Sequence, residues 1–265
     1  DTVGRDLVQH CINDILVQGA WPLFFLDYVG TGRLDPEVVS ALICGCADAC
    51  RENGLALLGG ETAEMPGLYA DGDFDLVGFV VGAVRREKVL DGARVAPGHV
   101  LLGMPSSGLH TNGYSLARKI LFERMGLDVG DRPEELGGVT VAEALLAPHR
   151  CYLRALWPLL NEDRLDAMAH ITGGGIGGNL PRVLPEGCAA HIRRDSWTPP
   201  PIFRLIQALG VDETEMYDVF NMGVGFILVV RPAFANAVMA RLNSAGETAF
   251  RIGVVRKGRR RVVWR

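Results

Sequence analysis

Five stretches of the 265-residue sequence gather the groups that phosphate and metal chemistry uses. Asn13-Asp14 sits in the middle of an amphipathic run, one turn after His10. The apolar stripe of that run leaves His10, Asn13 and Asp14 on the opposite face. There they form either a solvated surface or a carboxylate aimed at a metal–phosphate complex. Gly59-Gly60-Glu61-Thr62-Ala63-Glu64-Met65-Pro66-Gly67 follows a short buried strand. Two carboxylates after a glycine pair suit Mg²⁺, which takes hard oxygen ligands beside substrate phosphates. The alternative is a capping arrangement in which Thr62 starts a short helix. Ser106 to Ser115 crowds hydroxyls, His110 and Asn112 into a loop ahead of a helix. His110 there is a candidate proton carrier or phosphate ligand. Thr172-Gly173-Gly174-Gly175-Ile176-Gly177-Gly178-Asn179 lies between a strand and a helix, where backbone N–H groups favour anions. Phe220 to Gly225, with Asn221, reads by itself as an ordinary loop.

Gly173, Gly175 and Gly178 satisfy G-x-G-x-x-G, and Asp195 stands near the distance of a ribose-binding acid. An NAD oxidoreductase is therefore one reading. Pro181 and Pro185 oppose it, because they leave little room for a regular helix after the loop. A phosphate-cradling loop is the reading favoured here. No Gly-Lys-Ser/Thr follows any glycine loop, so there is no Walker A motif.

The elements that must position these groups read as two α/β domains, 1–92 and 93–265, divided in the turn-rich segment Asp91–Gly98. In the first, helix 5–18, strand 21–28, helix 36–54 behind an Asp35 cap, strand 55–58 and strand 75–84 follow one another. The glycine–glutamate segment falls in a loop between the last two strands. In the second, strands are expected at 99–103, 167–172, 189–193, 225–230 and 249–255. Helices are expected at 113–125, 141–146, 150–160, 202–209 and 232–245. Residues 259–265 would close a final hairpin. A hydrophobic share of 48% against 22% charged excludes a disordered chain. No apolar run approaches the roughly 18 residues of a membrane helix. A net charge of −4 gives no pull toward nucleic acid, and the basic end Arg256–Arg261 reads as solvated. The six cysteines read as buried or inert thiols, not as disulfides or a metal cluster, which points to the cytoplasm.

Together the segments 1–28, 59–67, 106–119, 170–185 and 220–225 resemble the aminoimidazole ribonucleotide synthetase family, the phosphoribosylformylglycinamidine cyclo-ligases. The resemblance spans essentially the whole chain. It implies a small N-terminal domain whose sheet pairs across a homodimer, and a larger C-terminal α/β domain. It also implies ATP-driven cyclisation of formylglycinamidine ribonucleotide in purine synthesis. Of the residues that match, Asp14 and Glu61 would hold Mg²⁺ and the triphosphate, with Asn13 and Thr62 beside them. His110 and Asn112 would meet the transferring phosphate or the amide. Gly173, Gly174, Gly175 and Asn179 would cradle the substrate phosphate, with Asn221 in the same cleft. The family's glycine-rich N-terminal ATP loop has no counterpart here, so an N-terminally trimmed, poorly active chain is expected. Other readings are a selenophosphate synthetase-like ATP user and a non-catalytic dimerisation module of a larger protein.

Overall fold

The computed structural model describes residues 2–265, which form two compact units. The first runs to Val89 and also takes in Pro148–Leu153; the second comprises Leu90–Ala147 and Arg154–Arg265.

The first unit contains α1 (Thr2–Leu16), β1 (Trp21–Thr31), α2 (Pro36–Asn53), β2 (Ala56–Glu64) and β3 (Phe74–Ala83). The chemistry of α2 follows its sequence closely. Asp35 accepts from the N–H groups of Glu37 and Val38, and Gly54 ends the helix in the left-handed region at φ 72°. β1 is central, parallel to β2 and antiparallel to β3. α1 crosses α2 so closely that a Cβ on Gly4 would stand 2.0 Å from the Leu42 carbonyl oxygen. α1 lies over the face of the sheet that carries Phe25, Asp27 and Gly78. A Cβ on Gly78 would reach within 2.8 Å of Leu7, and one on Gly82 within 2.5 Å of Ile15.

The other face of this sheet is apolar and open. Register puts Leu26 beside Phe79 and Tyr28 beside Val77. Leu58, Val77 and Phe79 are 63%, 53% and 63% exposed. The glycine–glutamate segment, expected as a loop, is instead part of edge strand β2. The two glycines allow this. Gly59 takes φ 144°, closed to other residues, and a Cβ on Gly60 would fall 2.1 Å from the Asp27 carbonyl oxygen.

Pro148–Leu153 is a strap folded into the first unit, although the sequence assigns it to the second domain. Asp6 Oδ1 accepts from the His149 N–H at 2.7 Å. Asn13 accepts from the Tyr152 N–H at 3.1 Å and donates to the Arg150 carbonyl at 2.8 Å. The Cys151 thiol donates to Asn53 Oδ1 at 3.3 Å. Asn13 is thus fully buried against the strap, and of the two alternatives for this polar face the solvated one does not hold for it. With Asp6 and Gln9 it forms a second, polar buried stripe at i, i+3 and i+7.

The second unit contains β4 (Val100–Pro105), α3 (Tyr114–Arg118), α4 (Val141–Leu145), α5 (Leu153–Asn161), β5 (Ala167–His170), α6 (Gly175–Asn179), β6 (Cys188–Ile192), α7 (Pro201–Ala208), α8 (Glu213–Val219), β7 (Val224–Val230), α9 (Pro232–Ser244), β8 (Phe250–Lys257) and β9 (Val262–Trp264). Its six strands are ordered β5-β7-β4-β8-β6-β9. β7 is buried at every position, as its unbroken apolar run requires. α3 continues as a wider π-helical turn over Lys119–Arg124. The expected final hairpin does not form: β9 runs parallel to β6. β8 already has β4 on one side and β6 on the other, so the last strand takes the free edge of β6. α8 was not anticipated, although Asp212 caps it through the Thr214 N–H. Among the described residues no helix is long and apolar enough to cross a membrane.

Burial pushes the Asp6 carboxyl up from 3.8 to about 6. The native state therefore binds the proton more tightly than the unfolded chain, and Asp6's contribution to stability falls as pH rises from about 4 to about 6. Asn keeps the acceptor for His149 without the charge. Asp6→Asn is expected to raise unfolding stability by about 1–3 kcal/mol at neutral pH and to flatten the slope between pH 4 and 6. Urea denaturation across that range measures both.

Candidate active site

In the second unit, strand direction brings three of the chemical loops together. β4 and β5 end where β7 begins, since Pro105 pairs with Val224 and His170 with Phe226. The loops after β4, after β5 and before β7 therefore share one end of the sheet. Asn221 joins two of them. Its Oδ1 accepts from Ser106 Oγ and the Gly223 N–H, and its Nδ2 donates to the carbonyls of Gly108 and Leu109. Asn179 does the same for the glycine run, donating to the carbonyls of Thr172, Gly173 and Gly175 and accepting from Thr172 Oγ1. Both asparagines are buried, 2% and 4% exposed, so they brace the loops from inside. The Asn179 side chain, expected with Gly173–Gly175 to cradle the substrate phosphate, is thus engaged within the loop.

The glycine run is tightly constrained. Gly174 and Gly175 have φ 89° and 58°, and a Cβ on Gly175 would stand 2.1 Å from the Tyr217 carbonyl oxygen. Asn112 borders it, with Oδ1 3.2 Å from where a Gly173 Cβ would lie. The first-turn N–H groups of α6 begin here, and such groups lack intrahelical acceptors.

His110 is placed differently from its expected role. Its ring is 1% exposed. Nε2 accepts from the Ser107 N–H at 3.0 Å and lies 2.9 Å from Ser107 Oγ. That makes Nε2 the unprotonated nitrogen and puts the ring proton on Nδ1. Nε2 is thereby engaged within the loop. His110 and Thr111 both occupy the left-handed region, at φ 54° and 61°. Two successive non-glycine residues there mark a strained turn of the kind that collects at functional sites. The His110 carbonyl accepts from Thr111 Oγ1 and Asn112 Nδ2, both at 2.6 Å.

In the first unit, Asp14 is half-exposed on α1, 3.3 Å from His10 Nε2. Glu61 pairs in register with Tyr28, on the open face of the sheet, whereas α1 covers the opposite face. The two carboxylates expected to share one ion thus stand on opposite faces within a chain, and they do not fit a common Mg²⁺ site there. Thr62 pairs with Val29 on the helix side, and its N–H accepts no ligand role because it donates to Glu61 Oε1 at 3.0 Å. Among the cysteines, burial pushes Cys11 and Cys46 up to about 12 and Cys50 to about 11, so these thiols stay protonated.

Residues 1–84 match the AIR synthase related protein N-terminal domain, and residues 96–265 match its C-terminal domain. The chain belongs to the AIR synthase related family. It is 51% identical over 257 residues to the phosphoribosylformylglycinamidine cyclo-ligase of Trichlorobacter lovleyi, covering 97% of this chain and 73% of that protein. It is 52% identical over 258 residues to the corresponding protein of Citrifermentans bemidjiense, covering 97% and 74%. Among solved structures, thiamine-monophosphate kinase from Stenotrophomonas maltophilia superposes with a TM-score of 0.74 at 19% identity, covering 99% of this chain and 78% of that one. Hydrogenase maturation protein HypE in complex with ATP gives 0.72 at 22% identity, covering 98% and 75%. These two likenesses are of fold.

In this AIR synthase family member, sequence reasoning missed the buried polar residues Asp6, which holds the His149 N–H, and Asn53, which receives the Cys151 thiol. The i, i+3, i+7 polar spacing of Asp6, Gln9 and Asn13 was the available signal. Asn221→Ala removes a side chain making four hydrogen bonds and orphans buried backbone groups. It is expected to cost about 2–4 kcal/mol. Thermal unfolding measures the loss, and faster amide exchange in 106–109 locates it.

Proposed function

We propose that this chain closes an imidazole ring: ATP and formylglycinamidine ribonucleotide give aminoimidazole ribonucleotide, ADP and phosphate. The observation that carries this reading is 51% identity across 97% of the chain to a protein named phosphoribosylformylglycinamidine cyclo-ligase. The formyl oxygen is a poor leaving group. Transfer of the γ-phosphoryl group to it gives an iminophosphate; the amidine nitrogen then attacks that carbon, and phosphate departs. Such a reaction draws on positioning and charge neutralisation more than on a protein nucleophile.

The end of the second unit's sheet suits the ribonucleotide. Backbone N–H groups of Gly173, Gly174 and the first turn of α6 after Gly175, whose own N–H is held by the Thr172 carbonyl, would receive its phosphate, with Asn112 at the rim of the same loop. Asn179, Asn221 and His110 would hold those loops in shape. Asp14 would face the triphosphate side. Because Asp14 and Glu61 stand on opposite faces, no step is drawn through a magnesium ion held by both. Incubation of the purified chain with ATP and formylglycinamidine ribonucleotide tests the reading. Aminoimidazole formed in step with ADP supports it, and ADP release without aminoimidazole overturns it. In an active preparation, Asp14→Asn is expected to lower turnover at least about tenfold while leaving the melting temperature unchanged, since the side chain is half-exposed.

The open apolar face of the first unit's sheet supports a homodimer formed through it. Leu58, Val77 and Phe79 need cover that the first unit's own helices, packed on the other side, do not give. Phe79→Asp is expected to shift the sedimentation coefficient from dimer to monomer at micromolar concentration. An unchanged dimer would remove this face from the interface.

A further inference from the structure

We propose that the open face of β8, β6 and β9 in the second unit binds the phosphate backbone of single-stranded nucleic acid, through Arg256, Arg261 and Arg265 set around His191. The surface lies wholly within the second unit. The inference does not rest on the proposed reaction.

The sequence shows only a basic end. Residues 251–265 hold seven of the chain's 27 lysines and arginines and no Asp or Glu. Register sorts these residues by face. β6 pairs Ala189 with Arg256 and His191 with Val254 on β8, and it pairs His191 with Val263 on β9. Alternation then puts Arg261 and Arg265, two residues either side of Val263, on the face of His191 and Arg256. Both stay tied to β6, since the Ala190 N–H donates to the Arg261 carbonyl and the Arg265 N–H to the Ile192 carbonyl. The opposite face, with Ala190, Ile192, Val255, Val262 and Trp264, packs into the core. At about 4.8 Å between strands and 3.4 Å per residue, Arg256 and Arg261 stand about 10 Å apart across Ala189, and Arg265 about 14 Å from Arg261. All three charges reach the central ring. Burial first, and then Arg265, Arg256 and Arg261, hold the His191 imidazole below the usual histidine range.

The three guanidinium groups are uncommitted. Among the described residues Arg256, Arg261 and Arg265 are exposed and form no ion pair. Their neighbours differ: Arg260 pairs with Glu186, Arg193 with Asp195 and Arg194 with Glu213. Like charges so placed repel one another, and an anion laid across them removes that repulsion. The cations are arginines, whose planar fork takes phosphate oxygens two at a time. Between them Ala189 is buried and Val254 and Val263 are half-buried, so a folded protein partner finds no apolar pocket for an anchor. Trp264 lies on the other face, which leaves no stacking platform among these residues. Contact is therefore to backbone phosphates and independent of base sequence. A patch of about 10 by 14 Å with neither a groove nor a protruding helix suits a flexible single strand better than a rigid duplex.

The test is fluorescence anisotropy of the full chain with a labelled oligouridylate of about 12 nucleotides. Saturable binding is expected at low salt, with log K falling against log salt at a slope of about −2, as three phosphate contacts on a single strand require. Between about 50 and 200 mM salt that slope is a loss of about 20-fold. The triple variant Arg256→Gln, Arg261→Gln, Arg265→Gln is expected to bind at least about tenfold more weakly at low salt and to lose most of the slope. Its melting temperature is expected to match the wild type, because the three side chains are exposed. Arg86→Gln removes an exposed cation of the first unit and is expected to bind as the wild type does. Absence of saturable binding, wild-type binding by the triple variant, or an equal loss in Arg86→Gln would overturn the proposal. So would equal or tighter binding of a poly-glutamate peptide, which assigns the face to an acidic protein, or of a duplex of the same length.

Discussion

Backbone that leaves a helix or sheet still carries one donor and one acceptor per residue, and burying it without partners is costly. Both units meet that constraint with the side chains of Asn and Asp. In the first, Asp6 and Asn13 supply the partners that the backbone of the half-buried strap 148–153 would otherwise lack. In the second, Asn179 and Asn221 do so for the glycine run and the His110 loop. An amide offers two donors and an acceptor from one short side chain, so a single residue can fix three or four backbone groups. The irregular loops at the end of the β4–β7 pair hold one shape because these amides are saturated from within.

That economy explains what the sequence reveals and what it hides. α2 is legible because its signals are local: Asp35, Pro36 and Gly54 each act within one turn of where they stand. β7 is legible because the apolar run Phe226–Val230, buried at every position, needs cover on both sides. Asn13 is not legible, because its partners are the backbone of residues 150 and 152, remote in sequence. A polar residue opposite an apolar stripe looks solvated unless the covering segment is known. β2 is hidden for a related reason. Gly59-Gly60 reads as a turn, yet here glycine permits close approach to Asp27 and lets the strand continue. β9 depends on which sheet edge is free, and only the assembled topology decides that. The spatial grouping of the loops carrying Ser106, Gly173 and Asn221 likewise follows from antiparallel pairing.

The first unit's sheet has two chemically distinct faces, and the candidate residues divide between them. α1 and α2 cover the face of Phe25, Asp27 and Val29, while Leu26, Tyr28, Val77 and Phe79 look outward. The period of two along β2 then assigns Thr62 to the helix side and Glu61 to the open side. Glu61 is therefore a neighbour of the apolar face, and Asp14 is a neighbour of His10 on α1. The environment of each carboxylate is set by a different surface, and whatever covers the open face also decides what surrounds Glu61.

The glycine run shows how one spacing fits two uses. Gly173, Gly175 and Gly178 have the intervals of a dinucleotide fingerprint. That fingerprint works in a unit where the strand before the loop and the strand after its helix are parallel neighbours. Here β7, β4 and β8 lie between β5 and β6. α6 lasts only from Gly175 to Asn179 before Pro181 begins a 3₁₀ turn. Asp195, the apparent ribose acid, sits in an exposed turn beyond β6, across the sheet from the loop. The glycines instead permit a different fit: φ 89° and 58° at Gly174 and Gly175, and backbone pressed against the Tyr217 carbonyl at a distance no Cβ tolerates. Within the loop the Gly175 N–H donates to the Thr172 carbonyl and the Gly178 N–H to the Gly174 carbonyl, closing a tight turn. A dinucleotide would need a neighbouring parallel strand, and three strands separate β5 from β6 in this sheet.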